Sequence, residues 1–590
     1  MAEHDRVLFQ QAVELHQSGD LQAAEPLYRR VLESTPQHSD ARYLLGTVQL
    51  QLGQFAACIE SLETVIAARP DVADAFNNLG IAYQALGQWE EAAKAYQAAI
   101  KINPKYDQAF YNLGALMEAR ELFADAQKCY QHALHLNPDD VQCQLGLANV
   151  LKSQRKWPEA EACYREAAEN DPQNLDVQVG LGFVLTRQER LDEAVDVYKQ
   201  ILDVQPDYHQ VHNSLSYVYE RQGQLGRALE CARRTLAIQP DFAEGYNNLG
   251  TALCTQHRLD EACDCFRKAL QLRPEFALAE FNLGSTQLLA GKYRDGWPGY
   301  QRHAELLDTP PRRFTQPRWN GEPIADQKLL VYADQGFGDT IQFVRFLPEV
   351  KQRFGARIVF ECPAELIGLL ASQVAVDEII ADGGLLPAFD AQIPLASLAG
   401  ILDVGVDSVS AGKSYLTAPQ TLPSGLQQLI EGVNESDLCV GLVWQGNPQQ
   451  ARDVVRSCLL EKFKPLLDMT GVSFFSLQTK HSGLTQLTTL HTNRKPIDLG
   501  TSLRDFSETA AVLSRLDLLV TVDTAVAHLA GALGRPVWTL LCHTPDWRWQ
   551  LNRTDSAWYP SMRLFRQPKW GDWDAVIEQV SAELSRWTAK

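Results

Sequence analysis

No apolar run long enough to span a membrane occurs in this 590-residue chain, and the amino terminus lacks the basic segment followed by an apolar stretch that marks a secretory signal. The expectation is a cytoplasmic protein with no transmembrane segment. Basic side chains are the scarcer kind: 54 Lys and Arg stand against 73 Asp and Glu, a net charge of -19 that works against indiscriminate binding to nucleic acid or an anionic membrane. A local basic pocket for a phosphate is still compatible with that field. A metal cluster is missing too. Cys263 and Cys265 have no accompanying Cys/His set, so packing is favoured over zinc, and Asp572 and Asp574 immediately precede a helical run, where capping is the better reading. The 12 cysteines are scattered, mostly at apolar positions of a helical pattern, and are expected to be reduced and mostly buried.

What is present is a repeat. Pro36, Pro70, Pro104, Pro138, Pro172, Pro206, Pro240 and Pro274 follow one another at a spacing of 34 residues. Frames starting at residues 5, 39, 73, 107, 141, 175, 209 and 243 give eight full repeats. In the third, Phe76, Leu79, Gly80 and Tyr83 fall in a first helix and Ala92, Tyr96 and Ala99 in a second; the offsets return as Leu113, Gly114, Ala126, Tyr130 and Ala133, and as Leu249, Gly250, Ala262, Phe266 and Ala269. Small residues belong where two helices of a hairpin cross, and rings fill the space between crossings. This pattern resembles the tetratricopeptide family over residues 5–276, with a further first helix at 277–290. Ala148 and Ser216 replace the usual glycine, and Arg42 stands at a usually aromatic position, where it could loosen the second repeat.

Stacked hairpins of this kind form a superhelix with a concave face suited to a peptide or partner helix. Asn78, Asn112, Asn248 and Asn282 share the sixth position of the frame, interrupted by Gly146, Gly180 and Ser214. An amide can donate to a peptide carbonyl and accept from a peptide N–H at once. In protein O-glycosylating enzymes with such repeats the corresponding asparagines bind the acceptor backbone, while the competing reading is that they tie neighbouring helices together.

From residue 291 the periodicity stops. Gly291, Gly296, Pro298 and Gly299 and the proline-rich stretch behind them predict a connector over 291–326. Alternating apolar strands and helices then predict two αβ halves, 327–434 and 435–590, each with a parallel sheet. The predicted fold class is therefore an all-α superhelix of tetratricopeptide repeats followed by an α/β fold of the GT-B kind, two Rossmann-like halves facing one another.

Gly336 and Gly338 follow the first strand and allow tight turning or close approach at the ligand edge of a parallel sheet. Asp339 sits where that turn gives way to a helix; its carboxylate could accept a proton from an acceptor hydroxyl, or only cap the helix. Farther on, a helix entering near Thr524 points unpaired N–H groups backwards, where they could hold phosphate, with the Thr524 hydroxyl adding a contact. Asp523, negative like phosphate, would instead fix the turn or bond a sugar hydroxyl. His528 lies on the same helical face as Thr524 and is either a donor contact or a core histidine. Gln445 and Asn447 follow another strand end, and Arg452 and Arg456 could neutralise a leaving phosphate or remain solvated charges. Trp547 and Trp549, in an aromatic stretch at 545–560, could stack on a donor or close a small core.

The segments around Gly336–Asp339 and Asp523–His528 resemble bacterial heptosyltransferases of glycosyltransferase family 9 and related GT-B enzymes, in which the aspartate of the Gly-Asp pair is the proposed base. The tetratricopeptide-linked arrangement is also similar to protein O-glycosyltransferases and bacterial flagellin-modifying enzymes. The resemblance implies a metal-independent, inverting glycosyltransferase without a cofactor, whose substrate is a nucleotide sugar and whose acceptor is a protein Ser or Thr, flagellin among the candidates. Two alternatives stay open: a heptosyltransferase-like enzyme acting on lipopolysaccharide or another glycan, and a noncatalytic protein-binding scaffold.

Overall fold

The computed structural model describes residues 3–306, 312, 314–406, 409, 414–448, 453–479, 482–492 and 494–588. Helix follows helix from Glu3–Gln17 to Tyr293–Tyr300, pairing as antiparallel hairpins. The glycines of the repeat are required by sterics. A Cβ on Gly80 would lie 2.5 Å from the Tyr96 ring, and one on Gly250 would lie 2.6 Å from the Phe266 ring. Gly146 and Gly180 interrupt the asparagine positions for the same reason: a Cβ there would come within 2.6 Å of Tyr130 and 2.3 Å of Tyr164, rings of the preceding hairpin. Ala148 and Ser216 are buried without conflict.

Arg42, expected to loosen its repeat, is put to use. Its guanidinium donates to the Pro36 carbonyl at 2.9 Å, and Gln144 and Gln178, at the same frame position, donate to the carbonyls of Pro138 and Pro172 at 2.8 and 2.5 Å. His212 meets the Pro206 carbonyl at 2.9 Å in the same way. A polar side chain here satisfies a loop carbonyl where other repeats carry an aromatic ring.

The chain divides into two compact units, Met1–Val218 and Tyr219–Lys590. The boundary expected near 290 thus lies inside the second unit. Three turns spaced by one repeat explain why. At Gly223 a Cβ would lie 2.3 Å from the Trp570 indole; the His257 ring stacks on His543 at 4.5 Å; and a Cβ on Gly291 would lie 3.3 Å from the Gln550 amide nitrogen. The expected connector at 291–326 also begins with structure, the helix Tyr293–Tyr300. Gly296 and Gly299, read as breakers, let this helix approach Ala277–Leu289: a Cβ on Gly299 would lie 2.4 Å from the Glu280 carbonyl oxygen. Its Tyr293, Trp297 and Tyr300 are buried against Trp547, and Tyr293 stacks on Trp558 as well.

Two parallel sheets follow. The first is built from β1 (Lys328–Tyr332), β2 (Arg357–Cys362), β3 (Glu378–Ala381) and β4 (Ala391–Pro394) in the order β3-β2-β1-β4. The second contains β5 (Leu438–Val443), β6 (Val472–Ser476), β7 (Ile497–Asp498), β8 (Leu518–Val522), β9 (Val537–Leu541) and β10 (Met562–Arg566), ordered β10-β9-β8-β5-β6-β7. Strand β8 is buried along its length because both faces are covered: Leu518, Val520 and Val522 pack with Val576, Ile577 and Val580 of the last helix, and Leu519 packs into the core on the opposite side. Asp572 accepts from the Ala575 N–H at 3.2 Å and caps that last helix, as expected. The cysteines are all free, and six are buried. Among the described residues no helix is long and apolar enough to cross a membrane.

Candidate active site

The carboxyl ends of β1, β5 and β8 open into one cleft of about 850 Å³ within the second unit. It is lined by Gly336, Gly338, Asp339, Gln445, Asn447, Arg456, Asp523, Thr524 and His528, so positions spread over almost two hundred residues of sequence share one space. Arg452 lies outside the described residues.

Two short helices form the facing walls. Phe337–Phe343 starts directly after Gly336, and Ala525–Ala532 starts after Thr524. They meet at Gly338, where a Cβ would lie 2.9 Å from the His528 ring and 3.6 Å from the Ala525 Cα. Gly338 thus permits a close approach of the two helices. Gly336, with φ -69 and ψ 173, adopts backbone open to any residue, so a need for tight turning does not explain it. Gly446 between Gln445 and Asn447 is sterically required: a Cβ there would lie 2.4 Å from an Asp453 carboxylate oxygen and 2.7 Å from the Arg456 guanidinium.

Asp339 is not the residue preceding its helix but lies in the first turn. Its Oδ2 accepts the Gly336 N–H at 3.1 Å, and its Oδ1 is paired with the Arg548 guanidinium. Its side chain keeps 24% of its surface and opens on the cleft, whereas the Arg548 side chain keeps 7% and stands behind it. Burial pushes the Asp339 carboxyl up, Asp546 and Asp334 add to that, and Arg548 pulls it back. Arg548 itself, although burial opposes its charge, is held well above the ordinary guanidinium range by Asp546 and Asp339.

On the opposite wall no Thr524 side-chain bond caps the helix; its hydroxyl lies 3.0 Å from that of Thr521, and Ala525 and Val526 border the cleft with the helix's first N–H groups. Asp523 is buried enough that its carboxyl is pushed up, with Asp546 adding to the effect. His528 is buried yet lines the cleft, and its Nδ1 is tied to the Tyr559 hydroxyl at 2.9 Å. Burial, then the charges of Arg548, Arg345 and Arg456, push its pKa well below the usual range, so the ring is neutral. Arg456 reaches the cleft while paired with Asp453 at 3.2 Å. Gln445 is pinned through its backbone, its N–H donating to Gln478 at 3.2 Å and its carbonyl accepting from the same amide at 3.1 Å. Among the described residues no three His, Cys, Asp or Glu side chains gather as a metal site.

Residues 470–572 match the family described as glycosyltransferase family 9 (heptosyltransferase), and this stretch contains Asp523, Thr524, His528 and Arg548. Residues 243–276 and 180–243 match tetratricopeptide repeat profiles, and residues 4–209 match the C-terminal domain of cilia and flagella-associated protein 70. The chain joins tetratricopeptide repeats to a heptosyltransferase-like domain.

A curated relative, protein FlbA of Caulobacter vibrioides, is 23% identical over 330 residues, 52% of this chain and 54% of its own, so the chain spans about half the length of the relative it matches. Among solved structures, YrrB, described as a tetratricopeptide protein with an unusual peptide-binding site, is 21% identical over 32% of this chain and 96% of its own, with a TM-score of 0.27. A thermophilic tetratricopeptide protein of Thermus thermophilus is 27% identical over 31% of this chain and 99% of its own, with a TM-score of 0.26.

Within the heptosyltransferase-like domain, sequence reasoning missed Arg548. The aromatic segment draws attention to its tryptophans, yet Trp547 and Trp549 are buried, and the charged residue between them reaches the cleft. The available signal was an arginine between two tryptophans with an aspartate two residues before it, since a cation among rings needs a carboxylate partner. In the repeats, Asn112 and Asn282 donate to Asn77 and Asn247 of the preceding hairpin, each at 2.9 Å, and Asn78 donates to Thr47 at 3.4 Å. These amide nitrogens join one hairpin to the next. Asn248 accepts from Asn247 at 3.3 Å.

Proposed function

We propose that the cleft moves a sugar from an activated nucleotide donor to an acceptor hydroxyl, with Asp339 as the base and the start of the Ala525–Ala532 helix as the seat of the donor phosphates. The observation that carries this reading is the juxtaposition of a half-open carboxylate and an uncapped helix start on facing walls of one cleft. An anion suits the helix end because the first N–H groups of a helix fall outside its own hydrogen-bond ladder and the helix dipole is positive there. Arg456 adds positive charge on the same side, and neutral His528 can donate or accept without repelling either substrate.

In the proposed reaction the acceptor oxygen attacks the anomeric carbon, its proton passes to Asp339, and the bond from the anomeric carbon to the phosphate oxygen breaks with its electron pair leaving on the nucleotide. A single displacement of this kind inverts the anomeric centre, and nothing in it calls for a metal or a covalent intermediate. Gln445 and Asn447 stand where the rest of the donor would extend, and Asp523 is suited to a sugar hydroxyl rather than to phosphate.

The family 9 match better supports a glycan hydroxyl, on lipopolysaccharide or another carbohydrate, as acceptor. The long helical repeat supports a second reading, Ser or Thr of a protein such as flagellin, in the cytoplasm where activated sugars are made. Purified full-length chain is incubated with a panel of nucleotide-diphosphate and nucleotide-monophosphate sugars, and nucleotide release and acceptor mass are followed with glycan and protein acceptors. Release accompanied by a hexose- or heptose-sized mass gain on a glycan supports the first reading, and the same gain on protein the second. Binding of partners without turnover of any donor contradicts both and leaves a scaffold.

A further inference from the structure

The loop behind β9 carries a feature that the proposed reaction does not by itself require. Asp546 precedes a short turn, Trp547–Trp549, and accepts both the Arg548 N–H at 3.1 Å and its guanidinium at 2.8 Å. The Arg548 Nε donates to Gln342, on the same helix as Asp339, and its remaining amino group meets Asp339. The guanidinium also lies 4.6 Å from the centre of the Trp547 ring. The loop has little freedom to move: Trp549 is fully buried, its carbonyl accepts from Arg566 at 2.5 Å, and Gln550 is held at φ 51, a left-handed conformation that costs a non-glycine residue free energy. An arginine fixed on three sides, with one prong of its fork on a cleft carboxylate, is preorganised for that carboxylate.

We infer that Arg548 is a positioning residue for Asp339: held by Asp546 and Gln342, it fixes one carboxylate oxygen and turns the other edge of the group toward the cleft, where it can take the acceptor proton. The inference rests on the proposed function above. Arg548 acts through Asp339, and with only 7% of its side chain exposed and its fork engaged by Asp546, Gln342 and Asp339 it is poorly placed to serve primarily as a phosphate clamp. Among the described residues the charged groups around Asp339 are Arg548 and Asp546 from this loop, Asp334 from the end of β1, and His303, which is paired with Asp334 at 2.5 Å; Tyr300 and the Gly336 N–H add to its polar surroundings. Of these, Arg548 favours the carboxylate, whereas Asp546 and Asp334 oppose it.

The test compares full-length wild type with Arg548→Lys, Arg548→Gln and Asp546→Asn, measuring kcat, donor KM and the pH dependence of kcat/KM, with thermal melting as a check on folding. Arg548→Lys retains charge and loses the fork, so kcat falls by about 10²-fold while donor KM stays within about threefold. In Arg548→Gln the cation is gone, the neutral acid is favoured, and the acidic limb moves to higher pH. Asp546→Asn keeps an oxygen for Arg548 and removes a neighbouring anion, so the limb moves to lower pH. Opposite displacements from two residues of one loop are not produced by a loosened structure. Unmoved limbs, or a raised donor KM with kcat intact, overturn the inference; if Arg548→Gln does not fold, the other two variants decide it. Failure of Arg548 alone leaves the transferase reading in place, whereas a wild type that turns over no donor overturns both.

Discussion

Glycine does similar steric work in the repeats and in the cleft, but its partners differ. In the repeats, Gly80 lies under Tyr96 and Gly180 under Tyr164, both within the same or the preceding hairpin. In the cleft, Gly338 lies under His528 of a helix in the other αβ half. The polar contacts differ alike. Asn112 ties to Asn77 one repeat away, while Asp339 is paired with Arg548, more than two hundred residues along the chain. A repeat distributes its packing over many copies of one solution, so a single defect is diluted. The cleft makes each contact once, with charged partners behind it, so a defect there falls on the chemistry.

The comparison sharpens most at Asp339. Replacement by Asn keeps the shape and removes the proposed base, and kcat is expected to fall about 10²–10⁴-fold with donor affinity unchanged, measured by steady-state kinetics beside calorimetric binding. Equal loss of both would make Asp339 a donor ligand.

Gly338→Ala comes next. The added methyl would lie 2.9 Å from a His528 ring that Tyr559 and Trp549 hold in place, so kcat should fall about 10–10²-fold as the two walls are pushed apart. Wild-type kinetics would show that the walls yield freely.

Gly180→Ala meets a still closer ring, Tyr164 at 2.3 Å, whose hydroxyl is bound to Asn149 at 2.6 Å. A loss of about 1–3 kcal/mol in denaturant unfolding is expected, with transfer to a small free acceptor unchanged. The smallest effect is expected for Asn112→Ala, which takes the donor from the side-chain amide oxygen of buried Asn77 and should cost about 1 kcal/mol. A catalytic defect from either repeat variant would erase the contrast.

The same contrast explains what could be read from the chain alone. Prolines at a fixed spacing, with Gly80, Ala92 and Tyr96 at fixed offsets, encode hairpin packing locally, and the glycine-rich turns at strand ends mark the ligand edge of a sheet without knowledge of strand order. Arg548 could not be located in this way, because its meaning comes from Asp339 and Gln342, which only the closed fold brings to it. The role of Tyr293, Trp297 and Tyr300 was hidden for a related reason: Gly296, Pro298 and Gly299 look like an interruption until Gly284 is seen to need them close. The boundary expected near 290 marks where helical periodicity ends, whereas the contacts of Gly223 and His257 with the later loops do not follow periodicity and leave no trace in the sequence pattern.

The central claim is that donor phosphates rest at the start of the helix after Thr524, across from Asp339. A crystal structure of the full chain at saturating nucleoside diphosphate, drawn from a panel of bases, tests it most directly. Phosphate oxygens within hydrogen-bonding distance of the Ala525 or Val526 N–H groups are the predicted result. Phosphate bound elsewhere in the cleft would contradict the account, as would an empty cleft for every base.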